Sequence, residues 1–333
     1  MSGSGFGVGP VQGSKNEPVT ERRGGVEREA APPPPRGEDT AGRTLNPEPS
    51  DPEPLKLAHL SDVHFGRISH PGIVDALVGE ANGADLDLVV VSGDLTQRAR
   101  TREFLAARAM LDRFDAPVLV VPGNHDVRAW WHNPFARLWR SSKRFRQLVS
   151  PDVTPSFAEP GLAAFGLNSA HGWTIKGGRI RPEHVTEMEA FFARQPPDAF
   201  RVLVLHHHLL VLEGLDSDEV SRGARRAIEA AQRARVDLIL CGHLHTSYVA
   251  PVELSPATPA GADGHRVVIA SAGTATSSRG RGADRDVNFY NWITVEPGSF
   301  TVQERRFDVR AGRFEAARET TFDRDERPAR AGA

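Results

Sequence analysis

The sequence predicts an α/β fold of two mixed sheets packed together, with helices on their outer faces. Three observations carry this. Short Val- and Leu-rich runs alternate with segments whose apolar residues recur at helical spacing, as in successive βα units. The final third shows period-2 stretches instead, the pattern of antiparallel strands. Almost every Asp, Asn and His cluster also falls at the C-terminal end of an apolar run, the edge where α/β folds gather their ligand crevice.

In order, residues 55–60 form a buried strand ending at Ser61-Asp62. Ile73, Val74, Leu77 and Val78 place a helix over 71–82. Residues 86–91 read as a strand buried on both faces, followed by Ser92-Gly93-Asp94. Thr101 is the expected N-cap of a helix to about 114, with Phe104, Leu105, Met110, Leu111 and Phe114 on its apolar face. A strand at 117–121 leads into Pro122-Gly123-Asn124-His125-Asp126. Then come a strand at 162–167, a helix over 182–194, and a strand at 201–205 running into His206-His207-His208. A helix over 219–234 precedes a strand at 236–240 that ends at Cys241-Gly242-His243. Residues 246–252, 266–270, 288–295 and 299–307 are expected to form a run of antiparallel strands.

Residues 1–54 hold few large apolar side chains and a proline run, so they are expected to be a disordered tail. Residues 55–310 form the folded domain, and the polar stretch 311–333 is expected to fray as a second tail. With 39% hydrophobic and 25% charged residues, the chain of 333 residues can bury a real core. A formal net charge of −2 argues against stable nucleic-acid binding as its main role. Cys241 is the only cysteine, so no intrachain disulfide can form. The N-terminus lacks the basic and apolar regions of a signal peptide, and no apolar run is long enough to be a transmembrane segment; a cytoplasmic location is expected.

The polar clusters have a common logic. Asp62-Val63-His64 and His243-Leu244-His245 place two ligand types at i and i+2, on the same side of an extended chain. Gly93, Gly123 and Gly242 stand immediately before Asp94, Asn124 and His243, where a Cβ would obstruct a sharp turn. The donors are imidazole, carboxylate and amide, without thiolate, a set suited to Mn, Fe, Zn or Co. One aspartate can bridge two such ions. His206, His207 and His208 leave open which of the three is a ligand.

With Asp62-Val63-His64, Gly93-Asp94, Gly123-Asn124-His125-Asp126, His206 and Gly242-His243-Leu244-His245, the chain resembles the calcineurin-like metallophosphoesterase superfamily over about 55–308. The resemblance implies a four-layer α/β/β/α sandwich and two divalent or trivalent metal ions. It implies Asp62, His64, Asp94 and His245 on one ion, and Asp94, Asn124, His206 and His243 on the other. It puts the histidine ligand first of the three, at His206. It further implies that a hydroxide generated between the ions attacks phosphorus, with His125 touching the phosphoryl oxygen or protonating the leaving group.

Leu95-Thr96-Gln97 replaces the Asp-Arg-Gly of the protein phosphatase branch. The segments around Asp62, Asp94 and His206-His207 look most like class III cyclic nucleotide phosphodiesterases, features shared with glycerophosphodiesterases. The expected substrate is therefore a small phosphodiester; a DNA nuclease of the same superfamily and a catalytically inactive scaffold are the alternatives. Candidate substrate contacts are Asn124, His207, Asn168, Arg279 and Arg281, the last two in the Gly-rich loop 277–285. Residues 128–149 interleave Trp130, Trp131, Phe135, Trp139 and Phe145 with Arg128, Arg137, Arg140, Lys143, Arg144 and Arg146. They read first as an amphipathic helix on the sheet, then as a base-stacking, homodimer or membrane-surface contact. His59, His70, His132, His171, His184 and His265 are expected not to be ligands.

Overall fold

A computed structural model describes residues 53–127, 142–171, 177–210, 220–252 and 265–324. Two six-stranded sheets organise them. The first has the order β12-β11-β10-β1-β2-β3, with β1 (Leu55–Leu60), β2 (Leu88–Val91) and β3 (Val118–Val120) parallel. On its other side β10 (Phe289–Val295), β11 (Ser299–Asp308) and β12 (Arg313–Asp323) run antiparallel. The second has the order β4-β5-β6-β7-β9-β8. Its parallel centre is β5 (Leu162–Gly166), β6 (Phe200–Val204), β7 (Leu238–Cys241) and β9 (Val268–Ser271). The antiparallel edges are β4 (Ser156–Glu159) and β8 (Tyr248–Pro251).

Three apolar cores define four layers, as expected. Leu57, Leu88, Val90 and Val121 of the first sheet face Ala164, Val202, Val204 and Leu240 of the second. Outside the first sheet, Leu60, Val89 and Val91 pack under α1 (Ile73–Asn82), α2 (Thr101–Leu111) and α3 (Lys143–Leu148). Outside the second, Leu203, Leu205 and Ile239 pack under α4 (Pro182–Ala193) and α5 (Ala224–Arg233). Central strands are buried on both faces, so they carry continuous apolar runs instead of alternation. Among the described residues no helix is long and apolar enough to cross a membrane.

Several expectations need correction. Thr101 is the first helical residue and not the N-cap; that position is Arg100, whose N–H donates to Glu103 Oε2 at 3.3 Å. The four period-2 stretches are not one antiparallel run. β8 and β9 finish the second sheet, and β9 is parallel to β7, before the chain crosses to the first sheet. Of the expected tail 311–333, the described residues to 324 do not fray: β12 spans Arg313–Asp323 and pairs along the length of β11, while 325–333 lie outside the described residues. Its outward residues are Arg, Glu and Thr because it is an edge, where charge blocks further strand addition.

A bulge hides its pattern further. Between Glu304 and Arg305 the register shifts, so Phe314 and Phe322, an even number apart, lie on opposite faces. Phe322 stacks on Phe300 between the sheets, whereas Phe314 meets Tyr290 and Phe307 on the helix side. The expected tail at 1–54 lies outside the described residues up to 52, as do residues 128–141 of the Trp- and Arg-rich segment. The described remainder of that segment contains α3, with Phe145 in the core.

The packing of β12 generates a test. Phe314→Ala is expected to destabilise the domain by about 3–5 kcal/mol in equilibrium urea unfolding, the usual cost of emptying a buried Phe site. A loss under about 1 kcal/mol would mean that the strand adds little to the core.

Candidate metal centre

The loops that leave the C-terminal ends of β1, β2, β3, β6 and β7 converge where the two sheets meet. The first two loops stay paired beyond their strands: Asp62 N donates to Gly93 O at 3.1 Å, and His64 N to Asp94 O at 2.9 Å. Their path is not the extended one expected from the i, i+2 spacing. Asp62, His64, Asp94, His243 and His245 all have positive φ, between 48° and 74°. These left-handed residues are costly for side chains with a Cβ, and such strain concentrates at functional sites. Asp62 and His64 meet all the same, and Val63 and Leu244, which separate the paired residues, are buried as well.

The glycines divide by role. Gly93 combines a φ of +104° with backbone packing; a Cβ there would lie 2.7 Å from Gly123 N and 2.8 Å from His206 Nδ1. Gly123 and Gly242 have ordinary dihedrals but press against Asp94 and Ser61, leaving no space for a side chain.

These contacts gather a dense, buried polar cluster. His64 Nε2 lies 3.5 Å from Asp62 Oδ1 and 3.6 Å from Asp94 Oδ2. His206 Nε2 reaches the same Asp94 oxygen from the other sheet at 3.4 Å. His245 Nε2 is 3.5 Å from Asp62 Oδ1, its ring stacked on His64 at 5.1 Å. Asn124 Oδ1 lies 3.0 Å from both His206 Nε2 and His243 Nδ1. All seven expected ligands are therefore brought together.

Two of the imidazoles are fixed from outside by carbonyls: His64 Nδ1 donates to Thr96 O at 3.2 Å and His206 Nδ1 to Ser92 O at 2.8 Å. Both Nε2 atoms are thus left to face inward, the arrangement that orients histidine ligands. Asp62 Oδ1 and His64 Nε2 are buried without a hydrogen-bond partner. Orphaned acceptors among imidazole and carboxylate donors fit a cation.

Charge in the cluster is shared unevenly. Burial opposes ionisation of Asp62 and Asp94, yet neighbouring imidazoles hold both carboxyls below the usual range. Burial likewise opposes a proton on His206, but Asp94 outweighs it and lifts that ring to about 9. Burial instead takes His243 down to about 3 and His245 to about 4.

His125 sits at the rim, T-shaped to His64 at 4.9 Å. Its Nδ1 donates to Gln97 O at 2.8 Å, which leaves Nε2 as an acceptor for Arg279 Nη1, also at 2.8 Å. Burial, with His64 and Arg279 beside it, lowers the basicity of this ring against the pull of Asp94.

The other candidates separate. His207 is fully buried and joins His206 and His243 in a candidate metal cluster, its Nδ1 2.9 Å from Ser169 Oγ, its Nε2 without a hydrogen-bond partner and its ring 4.6 Å from that of His243. Asn168 turns its amide oxygen back to Ala170 N at 3.0 Å, and Arg281 is exposed on its loop. His208 packs against Ser271 Oγ and Cys241. His59, His171 and His265 bind Ser92 Oγ, Arg179 O and Val236 O and join no candidate metal cluster; His132 lies outside the described residues.

Spacing alone gave Asp126 no role. Its buried carboxylate accepts from Leu95 N, Thr96 N and Gly123 N at 2.9–3.1 Å, tying the Asp94 loop to the Asn124 loop. The available signal was an acid three residues after a turn glycine, where it can reach back to that glycine's N–H.

The chain is similar to several known phosphoesterases. The glycerophosphodiester phosphodiesterase GpdQ of Enterobacter lignolyticus (strain SCF1) is 29% identical over 208 residues, 57% of this chain and 71% of that protein. The 3',5'-cyclic adenosine monophosphate phosphodiesterase CpdA of Escherichia coli (strain K12) is 21% identical over 203 residues, 57% of this chain and 70% of that one. Among solved structures, purple acid phosphatase PPD1 from yellow lupin shares the fold with a TM-score of 0.60 at 13% identity, over 84% of this chain and 55% of its own. The structure of PhoD gives a TM-score of 0.58 at 13% identity, over 85% of this chain and 74% of its own. The family model for calcineurin-like phosphoesterases matches residues 55–247, from the first residue of β1 past His245, and the chain belongs to that family.

Proposed function

We propose that this chain is a dinuclear metal-dependent phosphodiesterase acting on small phosphodiesters, of which cyclic nucleotides and glycerophosphodiesters are the classes named in its relatives. The observation that carries the reading is Asp94. Its Oδ2 lies 3.6 Å from His64 Nε2 of the first sheet and 3.4 Å from His206 Nε2 of the second, between two donor sets that each draw on both sheets. Asp62, His64, Asp94 and His245 would hold one ion; Asp94, Asn124, His206 and His243 would hold the other. Mn, Fe, Zn and Co all suit nitrogen and oxygen donors without thiolate. Bound there, the pair supplies Lewis acidity toward phosphoryl oxygens and acidifies a coordinated water.

The chain's own residues do the remaining work. Asp126 holds the two ligand loops at a fixed separation. Gln97 O accepts from Nδ1 of His125, so Nε2, which accepts from Arg279 in the free site, is the ring atom that would exchange that bond for a proton to serve a leaving oxygen. His125→Ala is expected to keep both metals by elemental analysis and to lose roughly 100-fold or more in turnover; loss of metal instead would make it a structural residue. On a panel of 3',5'- and 2',3'-cyclic nucleotides, glycerophosphodiesters, bis-p-nitrophenyl phosphate, a monoester and single-stranded DNA, the diesters should be preferred. A monoester preference would refute the reading, and cleavage of DNA alone would make the protein a nuclease.

Metal loading should also depend on pH. Asp94 raises His206 to about 9, so below that pH an ion must displace a proton from the ring. Loading at pH 7 should release about one proton from this residue, and affinity should rise with pH before levelling above about 9. Calorimetry in buffers of different ionisation heat measures the release; a count near zero at pH 7 contradicts this assignment of charge.

A further inference from the structure

We propose that Arg279 is the substrate-binding cation of this site, its guanidinium engaging a non-bridging phosphoryl oxygen from the His125 side. The proposal rests on the phosphoesterase reading above and deepens it by naming a residue for the diester anion.

Position comes first. Arg279 follows β9 in a loop stitched to the one that carries Asp62 and His64. Thr274 Oγ1 donates to Asp62 O at 2.7 Å, Ala275 N to Ser61 O at 3.0 Å, and Thr276 Oγ1 to Val63 O at 2.8 Å. Beyond them, Ser278 N donates to Arg67 O at 3.2 Å and Arg67 Nε to Ser278 Oγ at 3.3 Å. The backbone entering residue 279 is thus tied to the β1 loop. The side chain reaches from there to His125, with Nη1 2.8 Å from Nε2.

Charge comes second. The guanidinium is half-buried, yet among the described residues His125 is its only hydrogen-bond partner and no carboxylate pairs with it. The negative charges acting on it are those of Asp94 and Asp62, while Arg281 and Arg67 repel it. Cations held by Asp94 and Asp62 would remove that compensation and leave a partly desolvated guanidinium facing positive charge. An anion between Arg279 and the ions restores the balance, and a guanidinium's planar fork of donors matches phosphate oxygens. Its bond to His125 spends a single N–H, so the same group can hold the ring and the phosphate together.

The test uses full-length, Mn-loaded protein with Arg279→Gln, Arg279→Lys and, as a charge control on the same loop, Arg285→Gln. Inorganic phosphate binding is followed by calorimetry, and bis-p-nitrophenyl phosphate hydrolysis supplies KM and kcat. Arg279→Gln should weaken phosphate binding and raise KM by about tenfold or more, with unchanged Mn content and a smaller effect on kcat. Arg279→Lys should recover part of the loss, and Arg285→Gln should match the wild type. Phosphate affinity within about twofold of wild type in Arg279→Gln would overturn the proposal, as would an equal loss in Arg285→Gln. A fall in kcat alone would also overturn it, reducing Arg279 to a support for His125. If the wild type hydrolyses no diester but binds phosphate through Arg279, the activity reading fails and this proposal stands.

Discussion

Two carboxylates, Asp62 and Asp94, are buried at the seam between the sheets, and a buried carboxylate persists only where donors or opposite charge meet it. Much of the local architecture answers that demand. Ser61 Oγ and His243 N donate to Asp62 Oδ2, and His125 N donates to Asp94 Oδ1. What remains, Asp62 Oδ1 and Asp94 Oδ2, faces the imidazoles of His64, His206 and His245. Each sheet supplies part of this environment, so the two buried carboxylates tie the sheets together at the seam.

The backbone carries the cost of that arrangement. Five candidate ligand residues adopt left-handed dihedrals, and three glycines let neighbouring loops approach closely. None of these features favours folding by itself. They persist because three apolar cores and the shared hydrogen bonds of Asp126 over-determine the loops. The β-strand ends hold the candidate donors close together, an arrangement that would lower the ordering cost of binding an ion.

The fold was legible where burial is complete. The Val- and Leu-rich runs at 86–91 and 201–205 cannot sit anywhere but the sheet interior, and the ligands follow directly from their ends. Legibility failed where the environment mixes. The β12 edge shows charge to water and hides two Phe residues on opposite faces, so period-2 counting misses it. Crossing from β9 to β10 leaves no local mark, because partner choice is a property of the whole sheet. At the site, His206 was singled out from His207 and His208 only by the family pattern, whereas the other six of the seven candidate ligands could be read from residue type and strand end. The extended-chain geometry assumed for Asp62 and His64 could not, since positive φ in non-glycine residues is imposed by tertiary contacts. The pairing of Arg279 with His125 was equally invisible, joining segments distant in sequence.

The path of the chain after β9 has a consequence for how the molecule is made. β10 pairs with β1, Leu55 opposite Val295, so the first strand of the domain waits for one of its last to complete its neighbours. Contacts between such distant segments form late, because a long loop must close before they repay its entropy. His243 and His245 also follow Asp62 by most of the domain. A growing chain on the ribosome therefore carries Asp62, His64, Asp94 and Asn124 long before the donors that finish either set exist. Under the proposed assignment, neither donor set is complete until His243 and His245 have been made.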